Sequence, residues 1–124
     1  MPRALVPSAA DRNGSTEGDI ARNHTLTIEV ALAPQQAEAA VHQAFLAVGL
    51  LDVAGGGGAM HGKFAAGMSS WGEKVQATIG FGPNGSLVTL YSESLLLTQP
   101  FDMGKNRKNL ERIVEVLRTL APVV

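Results

Sequence analysis

Glu73-Lys74-Val75-Gln76-Ala77-Thr78-Ile79-Gly80-Phe81-Gly82-Pro83-Asn84-Gly85-Ser86-Leu87-Val88-Thr89-Leu90-Tyr91-Ser92-Glu93-Ser94 is the stretch that decides the fold. Val75, Ala77, Ile79 and Phe81 alternate with Lys74, Gln76 and Thr78. That period of two belongs to a strand with one buried and one wet face. Pro83-Asn84-Gly85-Ser86 predicts a hairpin turn, because Asn-Gly tolerates positive φ. Leu87 to Ser94 then returns as the next strand. Val88, Leu90, Ser92 and Ser94 share one of its faces; Thr89, Tyr91 and Glu93 share the other.

C-terminal to the hairpin, Leu95 to Pro100 reads as a connector. Asp102 is placed to cap a final helix with its carboxylate. Leu110, Ile113, Val114, Leu117 and Leu120 form that helix's apolar stripe, and Pro122 ends it. N-terminal to the hairpin, Ser69 to Gly72 is a turn, and Ala59 to Met68 is a strand loosened by Gly62 and Gly67. Gly55-Gly56-Gly57-Gly58 is costly to order and predicts a mobile loop. A phosphate-cradling loop is disfavoured there, since no Gly-Lys-Ser/Thr and no helix start follow. Pro34 suits the first turn of a helix. Ala37, Ala40, Val41, Ala44, Phe45 and Val48 make its apolar stripe, and Gly49 stops it. In His24 to Ala31, Leu26, Ile28 and Val30 alternate with Thr25, Thr27 and Glu29, so a strand is expected. The expected fold is therefore α+β, in the order βαβββα. It has a four-stranded antiparallel sheet with two helices on one face.

Residues 1–23 are small and polar, without hydrophobic period. They are expected as a disordered N-terminal tail, or as a segment that orders on binding. Residues 24–124 form a single domain. The 124 residues fit one domain. The formal net charge of -1 gives no global reason to expect nucleic acid or an acidic membrane as partner. With no cysteine, disulfides, thiolate metal sites and cysteine nucleophiles are excluded. Met1 to Pro7 is too short and interrupted for a signal sequence, and no apolar run approaches the ~18 residues of a membrane helix. A soluble cytoplasmic protein is expected.

The candidate ligand-binding residues are Trp71, Glu73, Ser92, Ser94, Asp102, Lys105, Asn106 and Asn109. Ser92 and Ser94 lie on the strand face of Val88 and Leu90. Asn106 and Asn109 lie on the helix face of Leu110 and Ile113. These hydroxyls and amides point from strand and helix toward one interior edge. Buried, they must find partners. They either bond one another and pin the helix to the sheet, or rim a pocket between the two. Lys105, Arg107, Lys108 and Arg112 crowd a helix start, where cations oppose the dipole. That suggests an acidic partner, set against an ordinary solvated basic face. Trp71 is an interface anchor or a plug at a sheet end. Glu73 and Asp102 as an acid–base pair have no support from spacing. His24, His42 and His61 sit on three elements without metal-ligand spacing, and no Gly-x-Ser-x-Gly elbow occurs. No catalytic residue, metal or cofactor is assigned.

Ser69-Ser70-Trp71-Gly72-Glu73, the strand end Ser92-Glu93-Ser94, and Asp102-Met103-Gly104-Lys105-Asn106-Arg107-Lys108-Asn109-Leu110 resemble a pattern in small uncharacterised bacterial α+β proteins. Those proteins pair a Ser-x-Ser strand with Asp-x-Gly-x-Asn at a helix start. The resemblance covers about the last half of the folded part. It implies a similar sheet-and-helix domain; the family has no assigned activity, so no catalytic role is carried over.

The function expected from the sequence is a non-enzymatic binding or assembly module, with a homodimer through the sheet. The open face would carry Thr25, Thr27, Lys74, Gln76, Thr78, Thr89 and Tyr91. The alternative is a small-molecule carrier that grips a ligand between the C-terminal helix and the sheet. An enzyme would need two titratable groups converging there, and no such pair is visible.

Overall fold

Alternating side chains along two long strands build the centre of the sheet. The computed structural model describes residues 23–65, 72–94 and 104–122. Its elements are β1 (Asn23–Val30), α1 (Pro34–Ala47), β2 (Leu51–Gly56), β3 (Ala59–Phe64), β4 (Glu73–Gly82), β5 (Gly85–Ser94) and α2 (Lys105–Leu120). On β4 and β5, Val75, Ala77, Val88 and Leu90 are buried, while Lys74, Gln76, Thr78 and Leu87 are exposed. Pro83 and Asn84 reverse the chain, and Gly82 pairs with Gly85.

The class is α+β with two helices and an antiparallel sheet, but the sheet has five strands, not four. Its order is β1-β5-β4-β3-β2. Every neighbouring pair is antiparallel. The chain therefore runs βαββββα. The additional strand is Leu51–Gly56, which the glycine run hid. Gly57 and Gly58, at φ 65° and 95°, form the reversal between β2 and β3. Gly55 and Gly56 belong to the ladder, opposite Met60 and Ala59. Ladder pairing offsets the entropy cost of ordering glycine. So does Glu38 on α1, whose Oε1 accepts a 2.9 Å hydrogen bond from the Gly58 amide. β2 is itself irregular: its register shifts between Leu51 and Ala54, and Asp52 has φ 55°. Such an interruption blunts an edge strand against foreign pairing.

Both helices lie on the sheet face that carries Val75, Ala77, Val88 and Leu90. α1 packs over β2, β3 and β4, reaching β5; α2 packs over β1 and β5. Ala37, Ala40, Val41, Ala44, Phe45 and Val48 are all buried. The alanines let α1 approach the sheet closely. On α2 the buried side chains include Leu110, Ile113, Val114 and Leu117. Leu120 lies outside this stripe at 40% exposure, while Leu117 and Ala121 on either side of it are buried. Phe45, Leu90, Leu110, Ile113 and Leu117 are among the largest fully buried side chains. Each contributes about 1.5–3 kcal/mol by leaving water. The ends are tied by two bonds: the Ala31 amide donates to Pro122 O at 2.9 Å, and Ser86 Oγ to Leu32 O at 2.7 Å.

Of the expected N-terminal tail, 1–23, residues 1–22 lie outside the described residues, and Asn23 belongs instead to β1. Among the described residues, no helix is long and apolar enough to cross a membrane.

Candidate functional site

The period of two that buries Val75 also carries Glu73 inward, and the period that buries Leu90 carries Ser92 and Ser94 with it. Glu73 sits directly across from Ser94 in the β4–β5 ladder. α2 brings Asn106 and Asn109 onto the same patch, one turn apart on its sheet-facing side. The result is a strip of five polar side chains inside the helix–sheet layer. Glu73 is 1% exposed, Ser92 0%, Ser94 2%, Asn106 0% and Asn109 1%.

Their hydrogen bonds form two linked sets. Ser92 Oγ donates to Asn106 Oδ1 at 2.6 Å. Asn106 Nδ2 donates to Ser94 Oγ at 3.3 Å. Asn109 Nδ2 donates to Glu73 Oε1 at 2.9 Å. Glu73 Oε2 is buried and, among the described residues, accepts no hydrogen bond. Burying a carboxylate oxygen without a donor is costly. The first turn of α2 contains no acidic residue of its own. Glu73 brings a carboxylate to that end of the helix from the sheet, which the positive end of the helix dipole favours.

α2 starts after Gly104, its N-cap, which has φ 75°. Among the described residues, no side chain caps it. Asp102, expected as the cap, lies outside the described residues, as does Trp71. Lys105 is half-buried, while Arg107, Lys108 and Arg112 are exposed. Arg112 departs from a simple solvated face. Its guanidinium lies 5.4 Å from the Phe64 ring centroid, and Nη2 donates to Val48 O at 3.4 Å. It thereby ties α2 to the end of α1. An open groove beside it is lined by Ala47, Val48, Arg112, Glu115, Val116 and Thr119, and touches none of the strip residues. His42 and His61 are exposed, and His24 is half-buried on β1. Among the described residues, no three metal-binding side chains gather.

The structure thus brings together Glu73, Ser92, Ser94, Asn106 and Asn109, with Lys105 at their margin. Two contributors have no clear signal in sequence: Glu38, which reaches from α1 to the Gly58 turn, and Arg112, which reaches Val48. Both are single polar residues on otherwise ordinary helices, paired with backbone atoms far along the chain.

The uncovered sheet face is the second candidate surface. Thr25, Tyr91, Gln76 and His61 follow one another across four strands in one row, and Thr27, Thr89, Thr78 and Ala59 in the next. Thr27 and Thr89 share a 3.2 Å hydroxyl–hydroxyl hydrogen bond. Lys63, Lys74 and Glu93 form the row beyond Gln76.

No protein-family model matches the chain, and no curated protein matches it. Among solved structures it is similar to the crystal structure of protein MLL2253 from Mesorhizobium loti, a structural-genomics target. The TM-score is 0.56 at 12% sequence identity, covering 80% of this chain and 96% of that one. At this identity the likeness is one of fold alone.

Proposed function

We propose that the chain is a non-enzymatic binding and assembly module of the cytoplasm that forms a homodimer through the uncovered face of its sheet. The observation that carries this reading is the row Thr27, Thr89 and Thr78 at the centre of that face. Thr27, Thr78 and Thr89 are short and β-branched, and the rows flanking them are Thr25, Tyr91, Gln76 and His61 on one side and Glu29, Leu87 and Gly80 on the other. Flat sheets pack face to face about 10 Å apart through such short side chains. Five strands at ~4.8 Å spacing and about eight residues of length offer on the order of 500 Å² per copy. That is below the ≈ 800 Å² per partner of a standard interface, so the dimer is expected to be weak and concentration-dependent.

Native mass spectrometry with a denaturing run tests it, together with Thr78→Arg. Thr78 is exposed at the centre of the face. The expected result is a wild-type dimer mass that grows with concentration. Thr78→Arg should be monomeric with an unchanged circular dichroism spectrum. A wild-type monomer at every micromolar concentration tested would sink the reading.

A second reading, a small-molecule carrier between α2 and the sheet, is favoured by one observation. Among the described residues, the buried Oε2 of Glu73 has no hydrogen-bond donor, in a strip where every other polar side chain has a partner.

A further inference from the structure

We propose that the strip at the head of α2 binds a neutral, hydroxyl-bearing small molecule of the polyol class, with Glu73 Oε2 as the acceptor of a ligand hydroxyl. The proposal rests on the carrier reading and names its ligand class. It stands on the count of donors and acceptors at five buried side chains. Asn109 supplies one N–H, and Glu73 Oε1 takes it at 2.9 Å. Asn106 sits between the two serines: its carbonyl takes the Ser92 proton, and its amide donates to Ser94 Oγ. Ser94 accepts in that bond, which does not use its own hydroxyl proton. Ser94 is also the cross-strand neighbour of Glu73, on the same inward face. Directly opposed Cβ atoms in an antiparallel pair lie ~5 Å apart. An acceptor, Glu73 Oε2, and a hydroxyl that can donate, on Ser94, therefore stand on neighbouring residues of one face.

A hydroxyl group complements both, since it donates one proton and accepts another. It gives its proton to Oε2 and takes that of Ser94. An ammonium group would serve Oε2 but could not accept from Ser94. It would also add positive charge beside a helix N-terminus whose first turn already holds Lys105 and Arg107. A carboxylate or phosphate would meet the Glu73 charge directly. The helix N-terminus and its cations would otherwise invite an anion; the buried carboxylate decides against one. The neutral hydroxyl is the group left.

The test uses the full chain and two probes, ribose and methylammonium, at millimolar concentration. The Asn106 and Asn109 side-chain amide resonances are followed by NMR, and native mass spectrometry is run on the protein as purified. Saturable shifts of both resonances with ribose, and none with methylammonium, support the proposal. Glu73→Gln keeps an oxygen for Asn109 while replacing the second acceptor, and should weaken ribose by about tenfold. Ser94→Ala leaves the Glu73–Asn109 bond in place and should also weaken ribose, which keeps the test informative if Glu73→Gln fails to fold. Shifts with methylammonium and not ribose would overturn the polyol class and leave the carrier reading standing. So would a co-purified mass adduct that lacks hydroxyls. No shift with either probe and no adduct would overturn both.

Discussion

Asn106→Ala should be one of the most damaging substitutions in the chain, and its cost can be worked from three parts. Asn106 is 0% exposed, and its side chain joins Ser92 at 2.6 Å to Ser94 at 3.3 Å. Two hydrogen bonds vanish, each worth about 1 kcal/mol net. The Ser92 hydroxyl, itself fully buried, loses its acceptor at a cost of about 1–3 kcal/mol. The missing carboxamide leaves a cavity in the helix–sheet layer, adding about 1 kcal/mol. The sum is about 4–6 kcal/mol, a large share of the 5–15 kcal/mol typical of a domain. The double variant discriminates more sharply than either single change. Ser92→Ala alone should cost about 1–2 kcal/mol, because it strips Asn106 Oδ1 of a donor. Adding it to Asn106→Ala should cost little, since the orphaned hydroxyl is then gone. The coupling between the two is expected at about 1–2 kcal/mol. Urea unfolding followed by circular dichroism, extrapolated linearly to water, measures all four corners of the cycle. If Asn106→Ala costs under about 1 kcal/mol, or the two changes add without coupling, the strip is not a connected network and the argument fails.

Glu38→Ala should act locally: losing the bond to the Gly58 amide costs about 1 kcal/mol, and hydrogen exchange at Gly58 should quicken while Leu90 and Leu110 amides stay protected. The glycines divide into two kinds. At Gly55, with φ 125°, a Cβ would run into Ala59 O and the Met60 backbone, so Gly55→Ala should open the β2–β3 hairpin, lowering the unfolding midpoint and accelerating exchange at Met60. At Gly80 a Cβ would meet nothing within 4 Å, and Gly80→Ala should be neutral or stabilising by up to about 1 kcal/mol; equal effects at the two sites would refute the hairpin geometry.

What the sequence revealed was whatever depends on period. The β4–β5 hairpin, the buried stripe of α1 and most of that of α2 follow from apolar spacing, because burial selects spacing directly; Phe81, which the period puts with Val75 and Ala77, is instead 86% exposed beside the turn. Leu51–Gly56 was hidden for two physical reasons. Its glycines carry no side chains to alternate, and the shift near Asp52 breaks the period where Val53 would have shown it. Leu120 continues a helical stripe, but the stripe says only which side of the helix it is on. What covers that side in the last turn is a tertiary quantity. The strip itself was partly legible. Ser92, Ser94, Asn106 and Asn109 sit at positions whose period marks them as inward, so their meeting could be expected; that Glu73 joins them follows from stepping back two residues from Val75. Their pairing could not be read, because it depends on the rotation of α2 on β5.

That rotation is the property the polar strip controls. Leu110, Ile113 and Leu117 would be buried almost as well if α2 turned or slid slightly, since apolar contact is non-directional. Ser92–Asn106 and Asn109–Glu73 permit no such freedom. A slide of one turn along α2 would take Asn106 away from Ser92, leave Glu73 without its only observed donor, and bury four or more polar groups unpaired. Each would cost about 1–3 kcal/mol. Well-packed apolar residues at these five positions would serve stability as well or better, as replacements of buried polar networks elsewhere show. The strip therefore trades stability for a fixed placement of the helix head. A fixed placement is what a ligand site needs, because a hydroxyl held between Glu73 Oε2 and Ser94 tolerates errors of only a few tenths of an ångström. Stability measurements alone would show the pinning; only the behaviour of Oε2 toward a donor separates a pin from a site, and the ribose titration reads that atom.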